Sequence, residues 1–293
     1  MTTSHSIASS FVLPPGDWQT VFDCLCANFP AISPDRWRDR FVRERVLDDT
    51  KQPLDLAHAY SAGLRIYYFR EVPAEKPIPF FESILYADAH LIVADKPPFL
   101  PVTPVGEYVE QTLLARLIKH FGNDDIAPLH RIDRHTSGLV LFSAQRASRA
   151  AYQALFRDRT IEKTYEAMAP ALPHLEFPLT RRSRIVRGEP FFRSCEIEGE
   201  ANTETWIEVI DRGGDHWHYR LHPITGKKHQ LRVHMAALGA PIYNDAFYPE
   251  VCAALFNDYS RPLQLLAREL QFIDPIHGHR HVFTSQLSLT HHI

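Results

Sequence analysis

Residues 129–144, LHRIDRHTSGLVLFSA, set one carboxylate, Asp133, between two arginines, Arg131 and Arg134, in a short polar loop. Thr136 and Ser137 lead from that loop into residues 138–142, a wholly apolar run that reads as a buried strand. A polar loop held by a rigid strand is a common seat for catalytic groups. The flanking guanidinium groups should keep Asp133 ionised, because nearby positive charge favours the charged carboxylate. A structural ion pair would carry the same signature, since such pairs also perturb carboxylates.

On the C-terminal side, residues 147–157 predict a helix with Ala147, Ala151 and Leu155 on one side. Residues 163–168 predict a strand carrying Tyr165. Two more strands, 205–210 and 217–221, flank a hairpin turn at 213–214. Residues 229–238 predict a helix stopped by Gly239, with Pro241 just beyond. On the N-terminal side, residues 84–97 read as two short strands joined by a polar turn at 88–90. Many strands with few regularly interposed helices make an α+β domain rather than a doubly wound sheet. The run VPAEKPIPF, 72–80, holds three prolines and marks a stiff linker. The expected division is a loose tail over 1–16, a small module over 17–75 and a larger domain over 76–293. Within the module, residues 17–29 predict a helix with Asp17 as N-cap and Val21, Phe22, Leu25 and Phe29 on one face. Residues 33–49 predict a second helix, capped by Ser33 with Pro34 in its first turn. Residues 64–71 alternate as a strand.

The 293 residues are 45% hydrophobic and 23% charged, which permits a real core and excludes wholesale disorder. No apolar run is long enough to cross a bilayer. The first residues lack the basic start and apolar stretch of a secretion signal, so a soluble cytoplasmic protein is expected. Cys24, Cys26, Cys195 and Cys252 show no paired zinc-site spacing and are expected as buried free thiols. The net charge of −3 speaks mildly against a polyanionic partner. Residues 180–193, TRRSRIVRGEPFFR, nevertheless set Arg181, Arg182, Arg184, Arg187 and Arg193 against Glu189 alone, beside Phe191 and Phe192. Such a run could follow a phosphate backbone and stack on bases. A solvated surface loop is the plainer alternative.

Residues 222–248, HPITGKKHQLRVHMAALGAPIYNDAFY, lead from a turn at Gly226 into the helix bearing His229, Arg232 and His234. Lys227, Lys228 and the helix N-terminus favour an anion. Arg232 could form a fork to a carboxylate or phosphate, or extend over the surface. Tyr165, in IEKTYEAMAP, could equally be a half-buried sheet tyrosine. Histidines cluster at 277, 279 and 281, but no HExxH pattern is present, and His229 and His234 do not share a helix face. No metal site is expected, which sets aside a metal-dependent hydrolase.

HRIDRHTSGLVL resembles the active-site motif of the pseudouridine synthases that modify large-subunit ribosomal RNA and tRNA, the A-type branch. There the motif reads HR, Leu, Asp, two variable residues, then TSGLLL. EKTYEA resembles that family's basic-Thr/Ser-Tyr strand, at the expected distance after Asp133. TGKKHQLRVHMAALGAPIYND resembles its TGR-T/S-HQIRVH-xx-xG-xPIxGD, DKPPFLPVTP its lysine-proline strand ending, and LLARELQFIDP its late strand. The resemblance runs from about residue 84 to 274. Ile132 stands for leucine, Lys227 and Lys228 for arginine and a small polar residue, Asn244 for glycine, and Asp274 for a common histidine.

The resemblance implies a mixed, largely antiparallel central sheet flanked by helices and loops. It implies conversion of uridine to pseudouridine in structured RNA, ribosomal or transfer, with no cofactor. Asp133 becomes the essential carboxylate, either a nucleophile on sugar or base or a base on the ribose. Arg232 pairs with it. Tyr165 stacks on the target base and helps remove the proton from carbon 5. His130, Arg131, Lys163, Lys227, Lys228, His229 and Leu231 become the substrate-binding set, with Arg131 filling the space of a flipped uridine or holding a phosphate. Leu231 and Val233 either wall the pocket or pack in the core. The N-terminal region resembles the two-helix-plus-strand RNA-binding module that often precedes this domain, without the glycine expected near 44–45. A monomer is expected. The rival is a non-catalytic RNA-binding protein that kept the fold.

Overall fold

The computed structural model describes residues 8–69 and 75–289. Residues 1–7 of the expected tail, 70–71 of the expected strand and 72–74 of the expected linker lie outside the described residues. The chain divides into two compact units, residues 1–75 with 104–110, and residues 76–103 with 111–293.

In the first unit, β1 (Ala8–Val12), β3 (Arg65–Phe69) and β2 (Val46–Leu47) form an antiparallel sheet in that order, accompanied by α1 (Val21–Asn28) and α2 (Pro34–Val42). Val21, Leu25, Trp37, Phe41 and Ile66 are buried together. α1 starts later than expected because Thr20, not Asp17, caps it. The Thr20 hydroxyl accepts from the Asp23 amide at 3.1 Å, and the Asp23 carboxylate accepts from the Thr20 amide at 3.2 Å. Ser33 caps α2, as expected, with Pro34 in the first turn. The helix stops at Val42, short of the expected 49. Glu44 turns the chain through a left-handed conformation, φ 56°, and the Arg45 amide donates to the Arg40 carbonyl at 2.8 Å. A glutamate thus occupies the kind of position that favours glycine, where glycine was expected.

The second unit contains β4 (Ser83–Ala87), β5 (Leu91–Lys96), α3 (Leu113–Phe121), β6 (Ala127–Pro128), β7 (Ser137–Ser143), α4 (Arg146–Arg157), β8 (Glu162–Pro170), β9 (Leu179–Arg187), β10 (Ser194–Ile197), β11 (Thr203–Gly213), β12 (His216–Pro223), α5 (Gln230–Ala237), β13 (Leu265–Ile273) and β14 (Arg280–Thr284). The sheet runs β10-β9-β11-β12-β8-β13-β7-β5-β4, with β14 on β13 and β6 on β7. The β13–β7 pair is parallel and the other pairs are antiparallel. This is the expected α+β, largely antiparallel class.

Three local expectations need correction. The basic run 180–193 is not a loop, because its first half is β9. Its side chains alternate, with Arg182 and Arg184 exposed and Ile185 buried. Arg181 pairs with Glu196 at 2.5 Å and Arg182 with Glu204 at 3.1 Å, which neutralises part of the run. The hairpin turn falls at 214–215, because Gly213 still pairs with His216. Of the four free thiols Cys24 alone is buried, and Cys252 is exposed.

The sheet register builds the site. Gly138 in β7 pairs with Ala267 in β13, and Ala267 pairs with Tyr165 in β8. The loop holding Asp133 runs directly into β7, so Tyr165 lies two strands from its end. Gly138 has φ 108°, and a Cβ there would sit 2.3 Å from the Ala267 carbonyl oxygen. Only glycine lets β13 approach this closely, which explains the glycine of TSGLVL.

Candidate active site

Asp133 leaves its side chain 25% exposed, and its Oδ2 accepts from Arg232 Nη1 at 3.1 Å. Arg232 projects from α5 and is 1% exposed. Its opposite edge is held by Asp245, with Nε to Oδ2 at 2.8 Å and Nη2 to Oδ1 at 2.5 Å. Asp245 Oδ1 also accepts from the Phe247 and Tyr248 amides at 2.8 and 3.1 Å. The guanidinium carbon lies 4.8 Å from the Phe247 ring centre and 5.4 Å from that of Tyr248. Arg232 is therefore fixed by one carboxylate and presents its remaining donor to the other.

The first turn of α5 fixes this helix in place. Gln230 donates to the Glu204 carbonyl at 3.0 Å and to the Thr205 hydroxyl at 2.9 Å, mooring α5 to β11. His229 adopts a left-handed backbone, φ 59°. Its Nδ1 lies 2.9 Å from the Tyr248 hydroxyl, and its Nε2 lies 3.9 Å from Asp133 Oδ1. Asn244, with φ 60°, stands in a left-handed position before Asp245. Asparagine is among the few residues that tolerate this conformation, so the replacement of glycine here keeps the turn.

Burial pushes the Asp133 carboxyl up, but His229, Arg232 and the Arg232 hydrogen bond outweigh it and hold the pKa below its usual value. Burial drops His229 to about 4, so its imidazole is neutral near pH 7 and Arg232 dominates there. Burial, with Asp133 adding to it, raises the Tyr165 hydroxyl above the usual phenol range, which keeps it protonated at neutral pH.

Lys96 ends β5 fully buried, and its Nζ donates to the Pro97 and Arg134 carbonyls at 2.9 and 3.1 Å. The Arg134 Nε in turn donates to the Phe99 carbonyl at 2.9 Å. Lys96 thus pins the residue next to Asp133. Lys96→Met should slow single-turnover isomerisation about tenfold to a hundredfold, because small displacements of a reacting group are costly, with RNA affinity nearly unchanged in a filter-binding titration. Turnover at the wild-type rate would show that the loop holds without Lys96. Burial lowers the Lys96 pKa to about 7, with Asp133 pulling the other way. The folded state therefore sheds a proton that the unfolded chain keeps between about 7 and 10.5. The Lys96 contribution to stability is full above that window and is lost as pH falls through it. Denaturant melts at pH 7 and 9 should show a positive slope that Lys96→Met flattens.

The structure brings Asp133, Arg232 and His229 together and puts Tyr165 within range of the Asp133 charge. It does not bring every expected residue there. His130 Nε2 accepts from the Leu141 amide at 3.1 Å and its ring stacks on Phe156 at 4.6 Å. Burial takes its pKa to about 3. Lys163 is partly buried on β8, and burial lowers its pKa. Arg131, Lys227 and Lys228 are exposed. Leu231 packs in the apolar cluster of Leu221 and Met235, against which Tyr165 lies, while Val233 packs with Ile185 and Tyr248. Lys96, Asp245 and Tyr248 were not among the expected site residues, although all three lie inside the quoted motifs. Among the described residues, one group could hold a metal ion, Asp274 with His279 and His281 on the β13–β14 hairpin. No helix among the described residues is long and apolar enough to cross a membrane.

A family model described as RNA pseudouridylate synthase matches residues 90–237. The dual-specificity RNA pseudouridine synthase RluA of Haemophilus influenzae is 31% identical over 214 residues, spanning 72% of this chain and 95% of that protein. The protein of the same name from Vibrio cholerae is 36% identical over 201 residues, spanning 66% and 78%. The structure of human RNA pseudouridylate synthase domain containing 1 shares the fold, with a TM-score of 0.58 at 24% identity over 72% of this chain and 85% of that one. The chain belongs to the RNA pseudouridine synthase family. It is an isomerase that converts uridine in RNA to pseudouridine.

Proposed function

We propose that this chain modifies specific uridines in structured ribosomal or transfer RNA, with Asp133 as the essential carboxylate, Arg232 as its partner and Tyr165 on the base. The observation that carries the reading is the buried Arg232 clamped by Asp245 and donating to the partly buried Asp133 at 3.1 Å. That arrangement keeps a carboxylate ionised and aimed at solvent-accessible space, as a nucleophile or base requires. The bond from ribose carbon 1′ to base nitrogen 1 breaks, the base turns, and carbon 5 joins carbon 1′ while its proton leaves and nitrogen 1 gains one. Atoms and electrons balance without a cofactor. Asp133 acts either as a nucleophile on sugar or base or as a base on the ribose. A uridine inside a helix must be flipped out to reach it. The exposed Arg131 fills the vacated space or holds a phosphate, and Lys227 and Lys228 meet the RNA backbone beside α5. His229 sits beside Asp133, and Leu231 backs the site through the apolar cluster against which Tyr165 lies. The first unit aids RNA capture, and the enzyme works as a cytoplasmic monomer.

Two experiments test this. Deleting the gene and mapping pseudouridine across all stable RNA should reveal missing sites in ribosomal or transfer RNA, and the relatives' dual specificity makes more than one lost site reasonable. An unchanged map would refute the proposed targets. Tyr165→Phe should leave RNA binding nearly intact, since stacking on the ring is retained. Loss of the hydroxyl should slow single turnover by about a hundredfold, in the range of one acid-base group. A wild-type rate would remove the hydroxyl from the mechanism.

A further inference from the structure

The β13–β14 hairpin carries a polar cluster that the isomerisation does not use. Asp274 follows β13, His279 lies in the turn, and His281 sits on β14 opposite Phe272. His279 Nε2 and His281 Nε2 are 3.0 Å apart, and His281 Nε2 lies 3.4 Å from Asp274 Oδ2. One ligand atom from each of the three residues falls within 4.8 Å of the others.

A tetrahedral zinc ion with metal–nitrogen bonds of 2.0–2.1 Å sets its ligand atoms about 3.3 Å apart. The two separations on either side of His281 bracket that edge. The groups are also held for the purpose. The Asp274 side chain is fully buried. Its Oδ2 accepts from the Tyr152 hydroxyl at 2.7 Å, and its Oδ1 accepts from the Ile276 and His277 amides at 2.8 Å each. Outer hydrogen bonds of this kind orient a ligating carboxylate. The Asp274 amide donates to the His279 carbonyl at 2.8 Å, which closes the turn. The His281 ring is packed among Tyr86, Phe272 and Phe283, at 5.4, 5.5 and 4.9 Å between ring centres. His277 stacks on His279 at 5.7 Å and places its Nδ1 3.3 Å from Asp274 Oδ1. Without an ion, the facing imidazole nitrogens can share one hydrogen bond and no more.

We propose that Asp274, His279 and His281 form a binding site for a divalent transition ion of the zinc type, which staples the β13–β14 hairpin. Two imidazoles and one carboxylate suit such an ion and leave a fourth position for water. The site takes no part in the isomerisation. Leu266 of β13 lies beside Ser137, at the Asp133 end of β7, and Asp274 follows the other end of β13, about 25 Å away at 3.3 Å per residue.

The test uses the full chain freed of metal by chelator and dialysis. Added Zn²⁺ at micromolar concentration should raise the melting temperature by about 5 °C or more, as expected for an ion binding the folded state alone. One equivalent of Co²⁺ should give visible absorption of tetrahedral intensity. His279→Ala, an exposed position, should fold and lose both responses, and the near-isosteric Asp274→Asn should weaken both. Pseudouridine formation by the metal-free protein, assayed below its melting temperature, should equal that of the loaded protein. A wild-type melting curve indifferent to Zn²⁺ would overturn the site, and so would responses that persist in His279→Ala. Turnover that fails on metal removal while the protein remains folded would overturn the structural role.

Discussion

Asp133→Asn should lower pseudouridine formation at least about a thousandfold, the scale on which loss of a reacting group is felt, while the protein stays folded and keeps its RNA affinity. Asparagine has nearly the same shape but cannot attack carbon or take a proton as a carboxylate does. Its amide oxygen can still accept from Arg232 Nη1, which now lies 3.1 Å from Asp133 Oδ2. Arg232 also remains held by both oxygens of Asp245, so no buried cation is abandoned. The stability cost should stay near about 1 kcal/mol, the worth of weakening one partly exposed charge-assisted bond. Removing a negative charge beside arginines should leave binding to RNA unchanged or slightly tighter. The sign of the pH effect follows from the lowered carboxyl pKa. Wild-type Asp133 contributes stability above the usual carboxylate range and loses it as pH falls through its lowered value, and the Asn variant should lack that part of the acid limb. A purely structural ion pair predicts the reverse pattern, with a lower melting temperature and activity kept in the cold. Single-turnover product formation, a melting curve and a filter-binding titration separate the two. Appreciable product from the folded variant would refute the role of Asp133.

The parts of this fold that were legible in the sequence are those governed by local pattern. β7 reads from 138–142 because a strand buried on both faces shows an unbroken apolar run. Ser33 and Pro34 mark the start of α2 because capping is a matter of a few adjacent groups. Where two local signals compete, sequence reading errs. Asp17 and Thr20 are both acceptable caps, and Thr20 prevails because Asp23 stands three residues on and completes the box. The helix expected to run to 49 fails at Glu44 because β2 must turn back onto β3, a tertiary demand. β9 was hidden by its arginines, since a strand with paired Arg181 and Arg182 has the composition of a loop. Motif resemblance picks out Asp133, Arg232 and Tyr165, and the fold brings Asp133 and Arg232 into contact across 99 positions of chain. Lys96 and Asp245 stand inside motifs that give them no role from spacing alone. Their work lies in contacts to a distant carbonyl and to a guanidinium on another element, which no spacing rule encodes.

Asp245→Asn should be the more damaging change to the molecule, although Asp245 lies behind Arg232 and away from Asp133. Its Oδ2 accepts from Arg232 Nε at 2.8 Å and its Oδ1 from Nη2 at 2.5 Å, with both side chains almost wholly buried. An asparagine can keep its oxygen toward Nη2 and the Phe247 and Tyr248 amides, but its NH₂ group then faces the Nε–H of Arg232, donor against donor. The alternative flip breaks three bonds to keep one. Either way Arg232 is left as a buried cation with Asp133 as its only full counter-charge. Breaking a buried pair from one side typically costs about 3–5 kcal/mol, so the melting temperature should fall by several degrees. Isomerisation at a temperature where the variant is folded should still drop about a hundredfold, because Arg232 no longer aims at Asp133 from a fixed base. A double variant tells positioning from mere stability. Replacing a buried ion pair by apolar groups is often neutral, so Arg232→Met with Asp245→Leu should recover part of the lost melting temperature, short of the whole because the Phe247 and Tyr248 amides lose their acceptor. It should recover no activity, since Asp133 then has no guanidinium to orient it. An Asp245→Asn protein that is destabilised yet isomerises uridine at the wild-type rate would show that Asp133 needs no clamped arginine behind it.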